Sequence, residues 1–233
     1  MSQIRGVILD VDGTLVDSND AHAQAWVDAL TEAGYIAPYE MVRPLIGMGG
    51  DKLLPAVIGV QIDTDEGQLL DERRGQIFKA RYLPELSGFE GVPALLERLK
   101  RDGIRLVVAS SAKAEELEHL LKIAQADGYI EKQTSSDDVD HSKPSPDVVH
   151  AALDRLGLPP LQTVMLGDTP YDVEAATRAQ VPIIGLRCGG WREDQLEGAV
   201  AVYDDPADLL AHYDDSPLAN GQNGSSLAWH DVA

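Results

Sequence analysis

Along the 233-residue chain the apolar positions follow two rhythms. The short, nearly unbroken apolar runs "VILD", "IRLVVAS", "TVMLGD", "PIIGL" and "AVAVY" read as strands buried on both faces, which leave no polar positions to alternate with. Other stretches carry apolar residues three and four apart, the spacing of one helix face: "VPALLERLKRDG", "PDVVHAALDRLG", residues 173–179 and "PADLLAHY". From Gly91 onward helix and strand alternate, which predicts a parallel sheet with helices on both faces. The first strand, at 5–10, is followed by helical patterns alone. His22, Trp26, Leu30 and Ala33 share one stripe, "AGYIAPYE" ends that helix, and 39–46, 51–59 and 65–83 read as three more. No strand pattern interrupts positions 20 to 86. Residues 18–87 are therefore expected to form a helical cap inserted into an α/β core made of 1–17 and 88–215. The segment 216–233, rich in Gly, Ser and Asn, is expected to be a flexible tail.

The fold class this implies is α/β, a doubly wound Rossmann-like core with an inserted helical cap. Ligands of such a sheet bind beyond the carboxyl ends of its strands, and the residues expected there share a chemistry. Strand one ends in Asp10 and Asp12, "LVVAS" in Ser110 and Ser111, and "TVMLGD" in Asp168, with Asp172 four residues on. The loop "HSKPSPD" sets Lys143 just ahead of a helix. Asp, Ser and Thr cap helices routinely, and a single lysine is usually solvated. Taken together, however, they gather carboxylates, hydroxyls and one cation on one sheet edge.

Within "VILDVDGTLVDS" alone, Asp10, Asp12 and Asp17 crowd like charges into eight residues, which is unfavourable unless a cation or a chemical task compensates. Phosphoryl transfer fits. Asp10 can attack phosphorus and carry the phosphoryl group. Asp12 can protonate the leaving oxygen and later accept a proton from water. Asp10, Asp168 and Asp172 suit Mg²⁺, a hard ion that prefers oxygen ligands. Ser110 can donate to a phosphoryl oxygen, and Lys143 offsets developing negative charge. Gly13 and Thr14 allow a tight turn whose amides are expected to face the anion, with Ser111 beside them.

These stretches resemble the four motifs of the haloacid dehalogenase-like hydrolase superfamily: "DVDGT", "VVASS", "SKPSPD" and "GDTPYD", in order, across roughly residues 4 to 210. The helical insert resembles the small cap of the phosphoglycolate-phosphatase and β-phosphoglucomutase branch. The resemblance implies that Asp10 is the nucleophile and that Asp12 is the acid/base and a metal ligand through its backbone carbonyl. It further implies that Asp168 binds the metal directly and that Asp172 acts from around it. Asp12 speaks against the true dehalogenases, which use no acid/base there. "DSNDAHAQAW" is similar to the branch's cap entry, where the histidine, here His22, faces the active site; by periodicity alone His22 is a packed residue beside Trp26.

Composition narrows the partners. Nineteen Lys and Arg against thirty-nine Asp and Glu give a formal charge of -20, which argues against nucleic acid and anionic membranes. A small phosphorylated metabolite must then be drawn in by local cations. Cys188 is the only cysteine, so no internal disulfide can form, and the first residues lack a signal peptide's apolar stretch; a cytoplasmic protein, monomeric or weakly dimeric, is expected. "IGMGGDK" at 46–52 departs from G-x-G-x-x-G and follows a helix, so it reads as a flexible cap loop, with Lys52 a candidate substrate contact. Of the other cap cations, Arg43, Arg73, Arg74 and Lys79, most are expected to be solvated.

A phosphoacceptor receiver domain would be shorter, without a helical insert, and a binding-only relative would not fill every motif position. A sugar-phosphate mutase is the stronger alternative to a phosphatase. The resembling mutases carry an arginine three residues after the cap-loop glycine; here that position is Gly50.

Overall fold

The computed structural model describes residues 3–219 apart from 131, 136–138 and 140. Six parallel strands form one sheet: β1 (Gly6–Leu9), β2 (Arg105–Ala109), β3 (Lys132–Thr134), β4 (Thr163–Gly167), β5 (Ile183–Leu186) and β6 (Ala201–Tyr203). Their order is β3-β2-β1-β4-β5-β6, so the winding reverses between β1 and β4. At such a reversal the connections leave in opposite directions and open a crevice at the strands' carboxyl ends.

Pleating sends alternate side chains to opposite faces. Val7 and Leu9 enter one apolar cluster with α5 (Val92–Arg101), α6 (Ala114–Ile123) and α9 (Pro206–Ala211). Ile8 enters a second cluster with α7 (Asp147–Leu156) and α8 (Pro170–Arg178). All three β1 side chains are fully buried, each worth about 1.5–3 kcal/mol of transfer free energy, which explains the absence of polar alternation.

Between β1 and α5 the chain is helical: α1 (Asn19–Glu32), α2 (Tyr39–Val42), α3 (Gly50–Ile58) and α4 (Asp65–Ile77). A third apolar cluster, including Trp26, Leu30, Val42, Leu53, Leu54 and Leu70, lies within these helices. The cap thus has its own core. Its fourth helix does not run uniformly to 83: after Ile77 it widens into a π turn over Phe78–Tyr82 and tightens into a 3-10 turn over Leu83–Glu85.

Three expectations need correction. Strand β3, "KQT", carries no apolar residue, and its pairing with β2 is a backbone affair that hydrophobic patterning does not register. Ala33 follows the last turn of α1 and is exposed, so the apolar stripe ends at Leu30. Ser216 and Leu218 are buried, Leu218 within the core cluster, so packed chain continues past 215; residues 220–233 lie outside the described residues. Among the described residues no helix is long and apolar enough to cross a membrane.

Candidate active site

Asp10 directly follows β1, and its amide donates to Leu166 O (3.0 Å), which fixes the strand end against β4. Asp168 directly follows β4 across the winding reversal, and Asp172 lies one turn into α8. Carboxylate oxygens of these three buried residues lie within 4.8 Å of one another. Lys143, from the loop ahead of α7, is 1% exposed and meets two of them: its Nζ pairs with Asp10 Oδ1 and lies 2.7 Å from Asp172 Oδ1. Asp172 also serves in the cap of α8. Its Oδ2 accepts from Thr169 N (3.0 Å) and Oγ1 (2.6 Å), so the capping role and the site role coexist in one side chain.

Asp12 faces elsewhere. Its Oδ1 accepts from Ser18 Oγ (2.6 Å) and lies 2.8 Å from His22 Nε2, the ring of which stacks on Phe78 at 4.0 Å. The π turn after α4 supplies that Phe78, and π turns are frequent at functional sites. His22 is therefore both packed and directed at Asp12. The Asp12 carboxylate stays outside the three-carboxylate cluster.

Environment drives the two neighbouring carboxyls apart. Burial, reinforced by the charges of Asp172 and Asp12 and opposed by Lys143, pushes the Asp10 carboxyl up to about 7. Burial also acts to raise Asp12, but the His22 charge and hydrogen bonds from His22 and Ser18 overcome it and hold it below the usual range. Asp168 is raised well above its ordinary value by burial and by the charges of Asp10 and Asp172. Burial works against the charged Lys143, yet Asp10 and Asp172 outweigh it and raise its pKa.

The glycine turn differs from expectation. Gly13 N donates to Val16 O (2.8 Å) and Thr14 N to Val11 O (3.2 Å), so these amides close the turn instead of facing an anion. Thr14 Oγ1 donates to Asp168 Oδ1 (3.0 Å), and a Cβ on Gly13 would come within 2.3 Å of Asp168 Oδ2. Both residues buttress Asp168. Asp17 is exposed and lies at the chain's passage into the cap, where its amide donates to Ser87 O (3.1 Å). Ser110 is fully buried at the end of β2, and its Oγ accepts from Ala112 N (3.0 Å).

The 46–52 stretch is docked on the core. Gly49 N donates to Ser142 Oγ (3.1 Å), Ser142 Oγ bonds Asp51, and Ser111 Oγ reaches Gly47 O at 3.4 Å. A Cβ on Gly47 would fall 2.7 Å from Thr169 Cγ2, so the glycine permits the approach. Lys52, inside α3, pairs with Asp51 at 3.5 Å, a residue outside the carboxylate cluster. Nor are the cap cations free: Arg43 pairs with Asp20, Arg73 with Glu32 and Lys79 with Glu115. Arg74 is buried over Trp26 and meets both carboxylate oxygens of Glu116, so the expectation of a solvated side chain fails there.

Sequence reasoning missed Asn19. It is buried, and its Nδ2 donates to Asp168 Oδ2 (2.8 Å) and Gly189 O (3.0 Å), while its Oδ1 has no protein partner. It opens α1 directly after Ser18, and no local pattern in the sequence marks it. Three buried carboxylates against one ammonium, with an orphaned amide oxygen alongside, fit a hard divalent cation.

The haloacid dehalogenase-like hydrolase family matches residues 7–186. A phosphoglycolate phosphatase of Rhodospirillum rubrum is 34% identical over 215 residues, 88% of this chain and 89% of that protein. "Probable phosphatase IndB" of Dickeya dadantii is 31% identical over 83% of this chain and 85% of its own length. A hydrolase from Pseudomonas syringae superposes with a TM-score of 0.84 at 32% identity, over 91% of this chain and 98% of that one. On this family match and these relatives, the chain belongs to the haloacid dehalogenase-like hydrolases.

Proposed function

We propose that the protein is a Mg²⁺-dependent phosphatase that hydrolyses a small phosphorylated metabolite through an aspartyl phosphate on Asp10. The observation that carries this reading is the contact of Asp10 with Lys143 at the winding reversal, with Asp12 two residues on but held in a separate environment. Burial raises Asp10 and His22 lowers Asp12, the reverse of the order a nucleophile and an acid need, so these roles require a cation beside Asp10 to favour its ionised form.

An Asp10 oxygen attacks phosphorus, forming the acyl-phosphate bond as the ester P–O bond breaks. Asp12 gives its proton to the departing oxygen. Asp12, then a carboxylate, takes a proton from water as that water attacks phosphorus. The Asp10–phosphorus bond breaks, and carboxylate and inorganic phosphate result. Between turnovers His22 Nε2, 2.8 Å from Asp12 Oδ1, is placed to take the proton that Asp12 gained from water and to give it back before the next leaving group departs. Lys143 holds Asp10 and offsets charge on the phosphoryl oxygens, with the Ser110 hydroxyl as a further donor. Asp10 and Asp168, with the Asp12 backbone carbonyl and Asp172 around them, would hold Mg²⁺. When bound, the ion supplies the positive charge that offsets these carboxylates and the incoming phosphate.

Hydrolysis is favoured over transfer between sugar hydroxyls. A mutase needs a second anion anchor in the cap, yet Arg43, Lys52, Arg73, Arg74 and Lys79 each already have a carboxylate partner. The same reading takes 18–87 as the cap, 1–17 and 88 through Leu218 as the core, and a cytoplasmic monomer or weak dimer. The test is phosphate release from an aryl phosphate with Mg²⁺, with excess EDTA, and with β-glucose 1-phosphate plus a trace of the 1,6-bisphosphate. Chelation should abolish release; activity unchanged in EDTA would remove the metal from the account. Glucose 6-phosphate forming faster than free phosphate would favour the mutase.

A further inference from the structure

Asp168 is the most confined of the clustered carboxylates. A Cβ on Gly189 would lie 1.7 Å from its Oδ2, so only glycine permits the loop after β5 to pass this close. Each oxygen receives one neutral donor, Thr14 Oγ1 on Oδ1 at 3.0 Å and Asn19 Nδ2 on Oδ2 at 2.8 Å. Neutral donors fix direction without cancelling charge, which keeps the carboxylate available to a cation.

Thr14 and Asn19 belong to different parts of the molecule. Thr14 lies in the turn after β1. Asn19 opens α1, the first helix of the cap. Its second amide hydrogen goes to Gly189 O at 3.0 Å, and the same carbonyl accepts from Arg43 Nη2 at 2.7 Å. Arg43 in turn holds Asp20, the next residue of α1, at 2.5 Å. Two cap side chains thus converge on one core carbonyl beside Asp168. With both hydrogens used, Asn19 keeps a buried, unpartnered Oδ1 on the same amide group, an acceptor that suits a cation or its water.

We propose that Asn19 is a positioning residue that orients Asp168 for the divalent cation and makes this orientation depend on the seating of the cap. The inference rests on the Mg²⁺ reading above. A side chain that holds a metal ligand by hydrogen bonding typically contributes about 10–100-fold to affinity. Removing the amide therefore acts first on ion binding. The Asp10 and Asp12 chemistry is left in place.

The experiment is a Mn²⁺ titration followed by the EPR signal of the free ion, with displacement by Mg²⁺, on wild type, Asn19→Ala and Asn19→Ser. The expected result is an affinity about 10–100-fold weaker in Asn19→Ala, partly recovered in Asn19→Ser, which keeps a short donor. At saturating Mg²⁺, kcat of Asn19→Ala should return to within about threefold of wild type, a recovery a merely structural defect would not show. Affinity of Asn19→Ala within twofold of wild type, or no weaker than that of Asn19→Ser, overturns the proposal, with or without a lower Tm; where Asn19→Ala does not fold, Asn19→Leu takes its place in the comparison. Wild type that binds neither ion overturns the metal assignment, and this inference with it.

Discussion

On the core side of the site, Asp10, Asp168, Asp172 and Lys143 stand at the ends of strands and helices, enclosed on all sides and at most a few per cent exposed. On the cap side, Asn19, His22, Arg43 and the 47–51 loop come from helices with a separate apolar core, and reach the site across a seam of hydrogen bonds. The core wall concentrates like charges that only a fixed frame can hold together. The cap wall is chemically milder, its cations already neutralised by local carboxylates. On the proposed function, bond making belongs to the core, and orientation and access to the cap. Substitutions on the two walls should therefore differ in size and in kind.

The largest effect falls on the core. Asp10→Asn replaces a nucleophile with an amide, and phosphate release is expected to fall by about 10⁴-fold or more while the circular dichroism spectrum stays unchanged. Mass spectrometry excludes reversion by deamidation. Turnover near wild type in a verified preparation would remove the nucleophile from the account.

Next comes Lys143→Met, which keeps volume but leaves Asp10 and Asp172 facing each other without a cation. Activity is expected to drop roughly 10²–10³-fold, the scale of one preorganised donor. Lys52→Ala, on the cap, should change it by about twofold or less, because Lys52 already faces Asp51. Equal losses at the two positions would erase the distinction between the walls.

His22 sharpens the comparison, because it crosses the seam. His22→Leu removes the charge and hydrogen bond that hold Asp12 low, so the Asp12 carboxyl rises. The basic limb of the kcat/KM profile, set by the protonated Asp12 that the leaving oxygen needs, should move to higher pH, with kcat/KM down roughly tenfold, less than the loss of an acid/base group itself. An unmoved basic limb would separate His22 from Asp12.

The last effect is on stability rather than on turnover. An acid with a raised folded pKa binds its proton more tightly folded than unfolded, and Asp10 is raised from 3.8 to about 7 by burial and by Asp172 and Asp12, against Lys143. Without metal, stability should therefore fall as pH rises through that window, by up to about 1.4 kcal/mol per pH unit for each proton. Asp12, shifted downward, contributes only below this range. Urea unfolding from about pH 5 to 7 measures the slope, which saturating Mg²⁺ should flatten by stabilising the ionised carboxylates.

The two walls also differ in how far the sequence discloses them. Asp10, Asp168 and Asp172 are legible because one sheet edge brings them together and because buried carboxylates in such number need a task. The parallel sheet follows from the alternation of strands and helices, but its order and its edge strand β3 do not. Asn19 is not legible: its partners Asp168 and Gly189 are 149 and 170 residues away along the chain, and nothing local marks it. Gly13 and Thr14 stand out in sequence as a phosphate-facing turn, but their amides close the turn on itself, a choice made by backbone hydrogen bonding. The docking of the 47–51 loop on Ser142, and the burial of Arg74 on Glu116, depend equally on where the cap comes to rest. Chemistry that strands align is readable. Chemistry that one lobe supplies to another is not.

The central claim is the covalent intermediate on Asp10. The direct measurement is rapid quenching during turnover of an aryl phosphate, reduction with tritiated borohydride, and peptide mapping. An aspartyl phosphate is reduced to labelled homoserine, expected at position 10 alone and absent from Asp10→Asn. Steady turnover with no label at position 10, or label at another carboxylate, would contradict the account.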